Sequence, residues 1–312
     1  MATRVFTGWS RWVYAAKPNS WPKLLVPTAL GQGLGAFVAG GVNGTALVFG
    51  VLFVLADLLY IVFLNDWADA SVDRIKREMF PHGCSPKTIP DGILPRRALL
   101  LAGISAGILA IAVATAFEAL LNRPGLSLSA VVALAVFWAY TLPPLRLNYR
   151  GGGEALEALG VGGVLPWLNA YAQSGLAWAP PYAVLIPFFT LSLASAIASG
   201  LADERSDLLG GKRTVANVFG NRSARRVIES LVILGGLGWA TLSLWRTELP
   251  RAVLVLGAAV TLAFLPRMLA RTASAVTDAF AEQGRYKLEL HRAIWWSASL
   301  IAVSLAGMAQ IS

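Results

Sequence analysis

Apolar residues run through this chain in long blocks, without the strict alternation of a half-buried strand or the stripes of a surface helix. Nine blocks stand out, at about 24–42, 45–65, 97–117, 127–143, 155–173, 181–202, 227–245, 251–271 and 291–311. Each lies near the ~20 residues that carry a helix across a hydrocarbon core. Helices satisfy their own backbone hydrogen bonds in lipid. The blocks therefore predict an all-α polytopic membrane protein of about nine transmembrane helices. Polar stretches at about 66–96, 203–226 and 272–290 interrupt them. No linker or low-complexity run divides the chain, so residues 1–312 are read as a single transmembrane domain.

Composition excludes the main rivals. Of 312 residues, 56% are hydrophobic and 14% charged, against about 25% charged in soluble domains. Disorder needs low hydrophobicity and high net charge. The 30 Gly and 16 Pro suit membrane helices. A net charge of +9 would suggest nucleic acid in a soluble protein. Here the basic residues sit between apolar blocks, where membrane lipid, phosphate and orientation account for them, and no nucleic-acid partner is expected.

Orientation follows from the same residues. With the N-terminus inside, the 26 Lys and Arg, from Arg4, Arg11, Lys17 and Lys23 onward, fall on the cytoplasmic side except Arg123, Arg246 and Arg251. The positive-inside rule then predicts an inner or plasma membrane protein with N-terminus and polar loops cytoplasmic, C-terminus outside, and an odd number of spans. The single cysteine, Cys84, excludes an internal disulfide and argues against a cysteine zinc site.

The candidate chemistry is acidic. In LNDWADASVD, residues Asn65, Asp69 and Asp73 fall at i, i+4 and i+8 and share one face if the second helix continues; Asp66 lies beside them. Like charges on one face repel unless a cation sits among them. Oxygen ligands without Cys or His suit a hard ion, magnesium before zinc. Asp203 and Asp207 in LADERSD repeat the i, i+4 spacing at the end of the sixth block, and Lys212 and Arg213 follow in GGKRT. Carboxylates beside a Gly-rich basic turn suit Mg2+ with a phosphate ligand. Either motif alone also reads as solvated acids balanced by Arg74, Lys76, Arg77 and Arg205. Their recurrence on one side of the membrane, at matching helix ends, favours a site.

A third group, YTLPPLRLNYRGGGE, closes the fourth block. Pro143 and Pro144 end the helix. Tyr140 lies one turn back, where its ring suits a passing cation, and Arg146 suits a phosphate or carboxylate. An interfacial Tyr with snorkelling arginines fits as well.

Together these residues resemble the UbiA superfamily of intramembrane prenyltransferases. NDWADASVD matches its N-D-x-x-D-x-x-x-D motif, and DERSD with GKRT matches its second D-x-x-x-D motif and trailing Gly-Lys-Arg-Thr. The Pro-Pro segment and the KPNSWPK stretch before the first block resemble two further family segments, so the likeness spans about 17–220. It implies a UbiA-type helical bundle and Mg2+-dependent transfer of a polyprenyl group from its diphosphate, through an allylic cation, to an aromatic or other lipophilic acceptor. On this chain it implies metal ligation by Asn65, Asp66, Asp69, Asp73, Asp203 and Asp207. It implies diphosphate contacts from Lys212, Arg213, Arg146, Lys87 and Lys23, and a catalytic Tyr140. Two positions depart from the pattern: Lys87 replaces an Arg, and Asn148 a Lys. YRGGGE leans toward quinone- or naphthoate-type members. Two other readings use the same residues: a UbiA-like carrier of a prenyl or amphiphilic ligand, and a membrane terpene cyclase.

Other residues are read more modestly. Asp57, inside the second block, is expected to be a buried hydrogen-bonding carboxyl. Glu154 and Glu157 either deprotonate an acceptor or favour a helix N-terminus. His82 and Cys84 read as loop residues and His291 as interfacial. GQGLG, residues 31–35, lies inside a membrane helix and reads as a close-packing face.

Overall fold

Each apolar block becomes helical in the computed structural model, which describes residues 8–82, 84–245 and 248–310. Arg4 and Arg246 lie outside the described residues. In chain order the helices are α1 Trp9–Ala16, α2 Pro22–Ala39, α3 Gly44–Ala68, α4 Ala70–Met79, α5 Arg96–Leu121 and α6 Leu126–Thr141. They continue as α7 Leu147–Arg150, α8 Gly153–Leu159, α9 Leu165–Ser174, α10 Leu185–Leu201, α11 Glu204–Leu209 and α12 Val215–Phe219. The last four are α13 Asn221–Leu244, α14 Arg251–Ala263, α15 Leu265–Thr272 and α16 Phe280–Met308. A π-turn, Gly160–Val164, joins α8 to α9. No strand occurs among the described residues.

By length and apolarity, five stretches among the described residues qualify to cross a membrane: Gly44–Ala68, Arg96–Leu121, Pro180–Leu201, Asn221–Leu244 and Arg251–Thr272. The other four blocks are helical but depart from the simple span. The first, α2, is diluted by glycine and proline, and α6 has only 16 residues. The fifth is interrupted by the π-turn, and α16 begins in charged sequence. The all-helical membrane architecture stands, and a count of nine crossings is not established. The polar stretches are not plain loops, because α4, α11 and α12 form within them.

The bundle closes around α2. A Cβ on Gly31 would lie 2.1 Å from the Pro166 carbonyl oxygen, and one on Gly35 2.4 Å from that of Ala170. One on Gly33 would lie 2.2 Å from the Ala302 carbonyl oxygen. GQGLG is thus a packing face, set on α9 with two glycines and on α16 with the third. Between them Gln32 donates to Asn169 (2.8 Å) and to the Ala46 carbonyl (3.0 Å), while Gln173 donates to Gln32 (2.7 Å). One apolar core, with Trp239, Phe188 and Tyr286, joins α10, α13, α14 and α16. A second, with Phe49, Phe53 and Leu134, joins α3, α5, α6 and α9.

Two helix ends repeat one backbone geometry. Asp69 follows α3 at φ −91° and ψ 9°, and Asp203 precedes α11 at φ −108° and ψ 0°. The Asp73 amide donates to the Asp69 carbonyl (2.8 Å), and the Asp207 amide to the Asp203 carbonyl (2.7 Å). Each long helix therefore turns at an aspartate and continues into a short helix that keeps the i, i+4 pair on one side.

Candidate active site

The two acidic segments face each other across one polar cavity of about 130 Å³. Asn65, Asp69 and Asp73 line it from α3 and α4, on the shared face that their spacing predicts. Asp203, Asp207 and Lys212 line it from the other side, with Asn148, Glu154 and Lys87 between. Against it lies a larger cavity of about 280 Å³, walled chiefly by apolar side chains such as Leu24, Ile61, Val62, Phe137 and Leu165. Asn65, Tyr140 and Glu157 line both cavities and mark the seam. The pair of spaces suits a molecule with a charged head and an apolar tail.

Lysines from distant segments neutralise the acids. Lys212 lies 2.7 Å from Asp69 and 3.8 Å from Asp207. Lys87 pairs with Asp73, Lys76 with Asp203, and Lys17 with Asp66. Tyr149 donates to Asp69 (2.7 Å), and Thr88 donates to Asp66 (2.5 Å). Burial would discharge the Lys212 ammonium, but Asp69 and Asp207 overcome it and hold its pKa above the ordinary value. Burial raises Asp207, against the pull of Lys212 and Lys76. Burial, aided by the nearby Lys87 charge, brings Lys76 down to about 7.

The donor set fits Mg2+ in one particular way. Among the described residues no three His, Cys, Asp or Glu side chains gather closely enough to hold a metal by themselves. Magnesium commonly binds through one or two carboxylates with substrate phosphates completing its shell, and each acidic motif offers such a pair. The Asn148 amide nitrogen is buried without a hydrogen-bond partner, and the residue lines the cavity. It is a donor ready for an anion's oxygen.

Other expected site residues lie elsewhere. Asp66 turns away from the polar cavity and lines the apolar one beside Lys17, because it is one residue off the shared face. Lys23 lines the apolar cavity and pairs with Glu157. Arg146 lies over the Tyr149 ring at 3.7 Å and thus backs the phenol that holds Asp69. Arg213 is exposed and lines neither cavity, while its backbone amide donates to the Asn148 carbonyl (3.4 Å).

The structure also separates the two glutamates. Glu154 accepts from the Val215 amide (2.7 Å) and anchors the GKRT segment, while Glu157 stands at the seam. Asp57 lines the apolar cavity, and its Oδ1 has no hydrogen-bond partner, contrary to the bonded role expected of it. His82 is exposed, and the Cys84 thiol donates to the Phe80 carbonyl (3.4 Å). His291 bonds Ser195 (3.2 Å) and stacks on Trp295. Sequence reasoning missed Lys17, Thr88 and Tyr149 as partners of the acids. The sequence offers Lys76 only as one of several balancing charges, and its partner proves to be Asp203 of the other motif.

Comparison with known proteins bears on the family and the fold. The sequence model of the UbiA prenyltransferase family matches residues 24–288. A 1,4-dihydroxy-2-naphthoate octaprenyltransferase of Mycobacterium leprae is 23% identical over 228 residues, covering 73% of this chain and 76% of that protein. Its counterpart in Mycobacterium tuberculosis is 24% identical over 234 residues, with the same shares covered. The structure of a UbiA homologue from Archaeoglobus fulgidus bound to GPP and Mg2+ superposes with a TM-score of 0.69 at 18% identity, covering 95% of this chain and 99% of that one.

Proposed function

The chain belongs to the UbiA prenyltransferase family, and from that premise we propose that it transfers a polyprenyl group to an aromatic acceptor of the quinone- or naphthoate-type. The polyprenyl group comes from its diphosphate. The observation that carries this reading is the junction of the two cavities. The polar one suits a diphosphate with its metal ions, the apolar one suits the isoprenoid tail, and the carbon–oxygen bond between them would lie at Asn65, Tyr140 and Glu157.

In this reading Asn65, Asp69 and Asp73 hold one Mg2+ and Asp203 and Asp207 the other, sharing each with the diphosphate. When bound, Mg2+ neutralises the charge that develops on the leaving diphosphate. Lys87 and Lys212 already face the cavity and supply charge to the same oxygens. Asn148 adds a neutral donor. Asp66 supports this shell from behind by fixing Lys17 and Thr88. Arg146 acts through Tyr149. Tyr140 presents an aromatic ring at the seam, where an allylic cation would be favoured. The apolar walls keep water from that cation. Lys23, paired with Glu157, lines the apolar cavity beside the seam.

The naphthoate-type acceptor rests on the names of the two mycobacterial relatives and on YRGGGE. We further propose that residues 1–312 work as one catalytic unit, with N-terminus and acidic helix ends in the cytoplasm and C-terminus outside, from the distribution of Lys and Arg.

The test is thermal stability of the detergent-purified protein with geranylgeranyl diphosphate, with and without Mg2+, for wild type and Asp203→Ala. A ligand that binds the native state raises the midpoint. A Mg2+-dependent rise that the variant loses supports the site. No rise with any prenyl length overturns it. Incubation with 1,4-dihydroxy-2-naphthoate then tests the acceptor through the prenylated product. A cyclase would release pyrophosphate without an acceptor, and a carrier would release none.

A further inference from the structure

Lys76 is a charged residue of the polar cavity that the proposed ligand set does not use. It projects from α4, one turn after Asp73, crosses the cavity and pairs with Asp203 of the opposite segment. It is only 5% exposed. Lys87 and Lys212 flank the same space, and each is likewise paired with a carboxylate of the acidic motifs. The first and second acidic motifs are thus already bridged by cations that belong to the chain.

This arrangement constrains how a metal enters. A divalent ion at Asp203 must take the carboxylate from Lys76. The displaced ammonium would then be enclosed with Lys87, Lys212 and the new ion, while the remaining carboxylates of the two motifs, Asp73 and Asp207, already face Lys87 and Lys212. An enclosed charge that has lost its partner is costly. A diphosphate removes the conflict, because its oxygens give the released ammonium a partner and complete the shell of the ion. We infer that Lys76 is a diphosphate-binding residue that occupies Asp203 until metal and diphosphate arrive together, so that this chain binds the ion at its second acidic motif only as a metal–diphosphate complex. The inference rests on the prenyl diphosphate reading above.

The test measures binding without turnover. Full-length protein in detergent is dialysed to equilibrium against Mn2+, a spin-active stand-in for Mg2+. Dialysis is repeated with geranyl thiolodiphosphate, whose carbon–sulfur bond resists ionisation. Retained Mn2+ is counted by atomic absorption and its environment read by electron paramagnetic resonance. Wild type is expected to retain at least one more Mn2+ with the analogue than without it. Lys76→Met is expected to bind Mn2+ alone about tenfold or more tightly than wild type, and to bind the analogue more weakly, because the ammonium contact to the diphosphate is gone. Lys76→Gln is the second variant if the first does not fold.

Wild type that holds Mn2+ alone as tightly as with the analogue would overturn the inference while leaving the prenyl diphosphate site intact. So would a folded Lys76 variant with wild-type affinity for Mn2+ and for the analogue. Wild type that retains neither ligand would remove the functional reading itself, and the inference with it.

Discussion

The ammonium of Lys212 lies 2.7 Å from the Asp69 carboxylate, although 143 residues separate them in the chain. This contact ties the basic turn of the second acidic segment to the middle aspartate of the first. It joins the two motifs across one cavity, so that loss of Asp69 would take the nearer carboxylate from a lysine of the opposite segment.

Asp69→Ala and Asp203→Ala are each expected to lower Mg2+-dependent prenyl transfer by about 10²-fold or more, the scale of removing one electrostatic contact to a developing charge. Both variants should still insert in the membrane. His82→Ala, at an exposed position, should keep its activity. Product formation in membranes containing equal amounts of each protein checks all three.

Tyr140 separates ring from hydroxyl. Tyr140→Phe keeps the aromatic face at the seam and is expected to stay near wild type, whereas Tyr140→Leu removes it. A cation–π contact of about 0.5–2 kcal/mol corresponds to roughly 2- to 30-fold in rate. Equal losses in both variants would assign the effect to the phenol oxygen.

Gly33→Leu tests the packing face. Its Cβ would fall 2.2 Å from the Ala302 carbonyl oxygen, where backbone must move. Overpacking of this kind costs about 1–3 kcal/mol or more. A lowered thermal midpoint, with Leu34→Met close to neutral as the volume-conserving control, is the expected result.

Asp91 gives a pH dependence outside the membrane-spanning helices. Burial would raise its carboxyl, but hydrogen bonds from Arg77, Tyr14 and the Lys87 amide outweigh burial and hold it below the ordinary value. The same contact and burial push Tyr14 up to about 12. A depressed folded-state carboxyl stabilises above its unfolded value, near pH 4, and that contribution is lost as pH falls through the folded-state value. Asp91→Asn should therefore lower the thermal midpoint at pH 7, and the gap from wild type should close below about pH 4. A gap independent of pH would assign the effect to packing.

Much of this molecule is readable locally. The apolar blocks are helices because a helix closes its own hydrogen bonds wherever water is absent. The spacing of Asn65, Asp69 and Asp73 sets a shared face because successive turns stack side chains three and four residues apart. The glycines at 31, 33 and 35 announce close packing because they carry no side chain. Each conclusion needs only neighbours within a few turns, and each survives in the structure. The number of crossings does not follow in the same way, since glycine, a π-turn and terminal charge change what a block of apolar residues becomes.

The partners of the acids belong to the tertiary structure alone. Lys17 meets Asp66, Lys76 meets Asp203 and Lys212 meets Asp69 only after the bundle brings the helix ends together. The same closure gives Glu154 a backbone amide to hold and leaves Glu157 at the seam, though both begin the same helix. Periodicity assigns a residue to a face of its own helix. What that face meets is decided by long-range packing, and charge pairing in a closed cavity depends on distances that no local pattern contains.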